Sequence, residues 1–128
     1  MVDVSAHKIL GQAILDGLEK KEILAKMVKS KNLWERRIAI VSTFAFIRKG
    51  RFSETLKISK TLLEDKEDLI HKAVGWMLRE VWKKDENGAQ KCEAFLHTNY
   101  QKLPRTSLRY VIEKMPEEKR LKFLKNKF

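Results

Sequence analysis

Apolar residues recur at three- and four-residue spacing along almost the whole chain, and alternating β-branched runs are absent. That is the period of a helix with one buried face, so the pattern predicts an all-α protein. Helices are expected at about 4–15, 21–30, 33–48, 53–63, 67–84, 88–99, 105–114 and 117–125. The breaks have local causes. Gly50, after a long apolar run, suits a left-handed C-cap. Ser53 offers a hydroxyl to cap the following helix, and Asp85 to Gly88 reads as a turn cluster. Pro104 and Pro116 sit where helices begin or have just ended.

Two of these helices carry most of the information. Leu33 to Arg48 is apolar nearly all round in its middle, which predicts a central helix packed on both sides. Arg37, Val41, Phe44 and Arg48 line one edge of it, and Arg37 is too costly to bury unpaired. In Ile70 to Lys84, residues Ile70, Ala73, Val74, Met77, Leu78 and Val81 form one stripe. Trp76 falls about 130° from the centre of that stripe, at 100° per residue. It shares its face with Lys72, Arg79, Glu80 and Lys83. A tryptophan among cations can stack on a base or sugar, or meet a cationic ligand. It can equally cover the next structural repeat, and spacing alone does not separate these readings. Trp34 and Trp82 sit beside core positions, and both are read as packing.

The long helices recur. Arg37 and Lys72 lie about 35 residues apart, and Lys72 and Arg105 about 33 apart, each in a long helix followed by a shorter amphipathic one. Paired helices at such a period predict a HEAT-like helical-repeat solenoid of about eight helices, in which each pair buries its apolar face against its neighbours. No linker or low-complexity stretch divides residues 1–128, so a single domain is expected.

Charge adds a partner class. Lys+Arg number 28 against 17 Asp+Glu, a net charge of +11. Such an excess attracts polyanions, nucleic acid first and an anionic membrane surface second. A basic residue stands at or near the first turn of every long helix: Arg36 and Arg37, His71 and Lys72, then Arg105. The helix dipole disfavours cations there. A phosphate backbone would give them a purpose; simple solvation is the alternative.

Other chemistry finds little support. Cys92 is the one cysteine, so no internal disulfide is possible, and it is read as a buried small hydrophobe. His71 and His97 have no metal-ligand spacing with Cys92, and no phosphate-cradling or nucleophile-elbow motif occurs, so neither metal nor cofactor is expected. Asp3, His7 and Lys8 share a helical face, and Asp3 by itself reads as a capping acid. No stretch approaches the roughly 18 uncharged apolar residues of a membrane span. The start lacks a signal-peptide core, and a cytoplasmic protein is expected.

Three stretches carry a resemblance. LWERRIAIVSTFAFIRKG at 33–50, LIHKAVGWMLREVWKKD at 69–85 and LPRTSLRYVIEKMPEEKRLKFL at 103–124 are similar to segments of the AlkD-like DNA alkylation repair enzymes. With VDVSAHKILG at 2–11, the resemblance covers nearly the whole chain. It implies a solenoid holding duplex DNA on a basic concave face and excising N3- and N7-alkylated purines by hydrolysis of the N-glycosidic bond, without flipping the base into a pocket. It also implies site roles. Asp3 matches the family's catalytic aspartate, Arg37 the arginine of its W-x-x-R stretch, and Trp76 the tryptophan of G-W-x-L-R-E. Arg36, Lys72, Arg79, Lys83 and Arg105 are then expected on DNA. Relative to the family the chain is expected to be shortened at its N-terminus, because a tryptophan four residues before the aspartate would precede Met1. The alternatives are a non-catalytic DNA-binding module and a protein-binding solenoid.

Overall fold

The computed structural model describes residues 6–17 and 22–126. Among these the protein is all-α, consistent with a helical-repeat fold. The helices are α1 (Ala6–Leu15), α2 (Glu22–Val28), α3 (Leu33–Ser42), α4 (Phe44–Arg48), α5 (Ser53–Leu62), α6 (Asp68–Lys84), α7 (Glu86–Asn99), α8 (Arg105–Ile112) and α9 (Glu117–Leu124). They fall into two rows. α1, α3 with α4, α6 and α8 pack side by side in that order. α2, α5 and α7 pack behind them, each against a front-row helix and against its neighbour in the row. α9 closes on α8.

The core lies between the rows. Ile40, Val41, Ile47, Ile70, Val74, Met77, Leu78, Val81, Leu96, Val111 and Ile112 are all essentially inaccessible. The α6 stripe read from the sequence is buried in full. Burying a side chain of this size contributes about 1.5–3 kcal/mol, so a continuous stripe fixes the rotation of α6 about its own axis.

Three expectations need correction. The helix expected at 33–48 is two helices, broken at Thr43. Ser42 Oγ donates to the Ile38 carbonyl at 2.5 Å and Thr43 Oγ1 to the Ile40 carbonyl at 2.6 Å, while Thr43 N–H also bonds Ile40 O at 3.1 Å. Two consecutive hydroxyls compete for carbonyls that the helix would otherwise use, and the turn tightens. Ser53 is not a side-chain cap but the first residue of α5, behind Phe52. The cluster at Asp85 is a helix start rather than a turn, since the Asp85 side chain accepts from Gly88 N–H at 2.7 Å and caps α7. The Gly50 expectation agrees with the structure. Its φ is 75°, and Arg51 N–H closes back on Phe46 O at 2.9 Å, the bond that ends a helix through a left-handed residue.

Gly75 sets the distance between α6 and α8. A Cβ placed there would lie 2.5 Å from Tyr110 Cβ and 2.7 Å from Ser107 O. Ser107 Oγ donates to the His71 carbonyl at 2.7 Å across the same contact. A missing side chain and one inter-helix hydrogen bond therefore bring the start of α8 against the N-terminal half of α6. Among the described residues no helix is long and apolar enough to cross a membrane.

Candidate functional site

A groove of about 280 Å³ opens on the front row, lined by Arg37 from α3, Leu69, Lys72, Ala73, Trp76 and Arg79 from α6, and Tyr110 from α8. Its floor follows from the α6 wheel. The buried stripe faces inward, so Lys72, Trp76 and Arg79 must share the outer surface. The close crossing at Gly75 brings Tyr110 to one wall, and packing of α3 on α6 brings Arg37 to the other.

Trp76 is half-buried rather than interred. Its ring lies 6.5 Å from that of Phe44, tilted by 40°, and its Nε1–H points at Glu80 Oε1 at 3.4 Å. One part of the indole is thus held from behind while the rest borders the groove.

The three cations of the groove are not equivalent. Lys72 Nζ is 3.3 Å from Asp68 Oδ2 at an exposed site. Arg79 Nη1 donates to Glu113 Oε2 at 2.5 Å, and its buried Nε has no hydrogen-bond partner among the described residues. Arg37 has no carboxylate partner among the described residues. A partly buried guanidinium without a counter-charge among the described residues favours an incoming anion, since no described carboxylate has to be displaced.

The remaining expected site residues lie elsewhere. Arg36 does not face the groove. Its Nε–H meets Asp65 Oδ2 at 2.7 Å and its Nη1–H the Ser30 carbonyl at 2.9 Å, so it ties the loop before α3 to the loop before α6. Lys83 is exposed near the end of α6, 3.6 Å from Glu80 Oε2. Arg105 opens α8, with its Nη1–H towards Leu124 O at 3.3 Å and Tyr100 Oη at 3.4 Å. Asp3 lies outside the described residues, and so does the face it was expected to share with His7 and Lys8.

Sequence reasoning missed Leu69, Tyr110 and the support given by Phe44. The signal for Tyr110 was its place beside Arg109 in LRYVIEK, but nothing local says that α8 crosses α6 at Gly75. Trp34 departs from its packing assignment, being 41% exposed. Full burial on α3 starts only at Ala39, and in its first turn Leu33 packs against the core while Trp34 faces away from it. Trp82 does pack against the core, and its Nε1–H donates to Glu93 Oε2 at 2.9 Å. Cys92 is fully buried, and burial, with a smaller push from Glu93, moves its thiol well above the usual range. No cluster of three or more His, Cys, Asp or Glu among the described residues is placed to hold a metal ion.

Comparison with curated proteins gave no match, and comparison with solved structures gave none either. The family model described as DNA alkylation repair enzyme matches residues 1–115, a span that includes every residue lining the groove. The chain therefore belongs to the DNA alkylation repair enzyme family.

Proposed function

We propose that the protein serves DNA repair by seating duplex DNA along the front row and excising N3- or N7-alkylated purines by hydrolysis of the N-glycosidic bond. The observation that carries this is the groove itself: a half-buried indole beside a guanidinium that has no described carboxylate partner. Membership of a DNA alkylation repair family supplies the substrate class. The net charge of +11 supplies the long-range attraction.

In this reading Arg37 holds a phosphate next to the lesion and Trp76 packs its ring against the adjacent sugar. Lys72, Arg79, Lys83 and Arg105 add contacts along the backbone. The alkylated purine carries a positive charge before reaction and takes the glycosidic electron pair as it leaves. Positive charge then develops on the sugar, and a water adds at the freed carbon and gives up its proton to solvent. A carboxylate facing that sugar, assigned to Asp3 by resemblance, lowers the barrier most where water is sparse. The test is release of 7-methylguanine or 3-methyladenine from methylated duplex DNA. Release that is lost in Asp3→Asn and in Trp76→Ala supports the assignment; unchanged release in Asp3→Asn removes it.

One observation favours a second reading, a DNA-binding module without chemistry. Among the described residues, the carboxylates that pair with groove cations are Asp68, with Lys72, and Glu113, with Arg79. Neither is free to face a developing cation. Salt-dependent duplex binding with no base release at any enzyme concentration would select this reading.

A further inference from the structure

Among the described residues two large hydrophobic side chains are exposed, Trp34 and Leu69, each 41% accessible. They occupy equivalent places. α3 begins at Leu33 and α6 at Asp68, so each is the second residue of its helix. Three residues on, each helix carries a cation, Arg37 on α3 and Lys72 on α6. Spacing of i and i+3 puts both members of a pair on one side of the helix, about 5–6 Å apart. Leu69, Arg37 and Lys72 line the same groove. On α8 the fifth residue is again a cation, Arg109, but the second is Thr106, whose Oγ1–H turns to Asp68 Oδ1 at 3.4 Å. The combination of apolar and cationic residue therefore occurs on α3 and α6, and only its cationic half continues to α8.

The core does not explain this arrangement. α6 buries its stripe fully without Leu69, and full burial on α3 starts five residues after Trp34. An exposed apolar side chain beside a cation, repeated at the repeat period, matches a ligand that itself alternates apolar and anionic units. The sugar–phosphate backbone of DNA is such a polymer, with a deoxyribose face between successive phosphates. Resting on the reading above, we propose that Trp34/Arg37 and Leu69/Lys72 form two successive sugar–phosphate clamps. In each, the apolar side chain packs on a deoxyribose and the cation holds the adjoining phosphate, so that one strand runs across the first turns of α3 and α6. Trp34 and Leu69 are positioning residues, separate from the part played by Trp76.

The two halves of a clamp differ in their response to salt. A phosphate contact releases counterions, and its loss lowers the slope of log affinity against log salt by about 0.9. An apolar contact releases none. Binding of a fluorescein-labelled duplex oligonucleotide to the full chain is therefore measured by anisotropy across a range of KCl concentrations. Trp34→Ala and Leu69→Ala should each weaken binding roughly fivefold at every salt concentration, with the slope unchanged, as loss of one ring or alkyl contact implies. Trp34→Phe should recover most of the loss. Arg37→Ala should flatten the slope. Circular dichroism melting checks each fold, and both exposed side chains can be removed with little effect on it. If Trp34→Ala and Leu69→Ala bind as the parent does while Arg37→Ala weakens binding, the clamps are wrong and the DNA reading stands. If the parent chain shows no salt-dependent duplex binding, that reading fails and the clamps go with it. A Trp34→Ala variant that loses binding to phosphatidylserine vesicles but not to DNA would overturn the proposal in favour of a membrane surface.

Discussion

The Phe44 ring sits 6.5 Å from the Trp76 indole, tilted by 40°, and so joins the short helix α4 to the exposed face of α6. α4 exists as a separate helix because the chain breaks at Thr43, and that break sets the direction from which Phe44 approaches. The indole is thereby backed by an aromatic ring on one side and bordered by the groove on the other. Phe44→Ala should remove that backing. A ring pair of this kind contributes about 1 kcal/mol beyond area burial, so the melting temperature should fall by a few degrees. Base release should fall too, since the indole loses its fixed position, while the salt slope of binding stays the same. Equal release by the parent and Phe44→Ala would show that Trp76 needs no such support.

Arg36 and Arg37 should respond in opposite ways to removal. Arg36 and Asp65 are 15% and 7% exposed, so Arg36→Ala leaves a mostly buried carboxylate without its cation. Breaking such a pair costs about 3 kcal/mol, on the order of a 10 °C drop in melting temperature. Duplex affinity of the folded fraction should be unchanged. Arg37→Ala should weaken duplex binding with little loss of stability. Thermal melting and anisotropy on both variants decide this, and a large affinity loss in Arg36→Ala at full folding would return that residue to the DNA surface.

Gly75→Ala tests the crossing that shapes the groove. Its Cβ would fall 2.5 Å from Tyr110 Cβ and 2.7 Å from Ser107 O, and the second of these is backbone that cannot swing away. Overpacking of this kind costs about 1–3 kcal/mol. α8 should shift outwards, lowering thermal stability and also weakening DNA binding, because Tyr110 and Arg79 lose their relation. A variant as stable as the parent would mean that α6 and α8 are less closely apposed than described.

Cys92 predicts an alkaline stability loss. Its folded thiol stays protonated above the usual range, chiefly through burial, while the unfolded thiol ionises near about 8.5. Below that pH both states hold the proton and the full contribution is present. Above it the unfolded state binds fewer protons, so stability falls as pH rises. The stability difference between the parent and Cys92→Ala should narrow between pH 8 and 10, by up to about 1.4 kcal/mol per unit. Urea titrations at several pH values measure it. A constant difference would show that Cys92 is not shielded from solvent.

The sequence by itself determined which parts of the chain are helical, that α6 buries a single stripe, and that Trp76 and Lys72 stand opposite that stripe. Those are local facts: backbone period and side-chain hydrophobicity within one helix settle them without knowledge of its neighbours. The family was legible because its motifs are contiguous in sequence, and two of them, around Trp34 to Arg37 and Gly75 to Glu80, lie within single helices. Only the tertiary structure decided that Arg36 turns to Asp65 while Arg37 turns to the groove, that Trp34 is exposed, and that Tyr110 lines one groove with Arg79 and Trp76 beside the crossing at Gly75. Each of these depends on how far one helix is rotated against another and how closely they approach. Such quantities are set by side chains and glycines distant in sequence, and no pattern within a single helix encodes them.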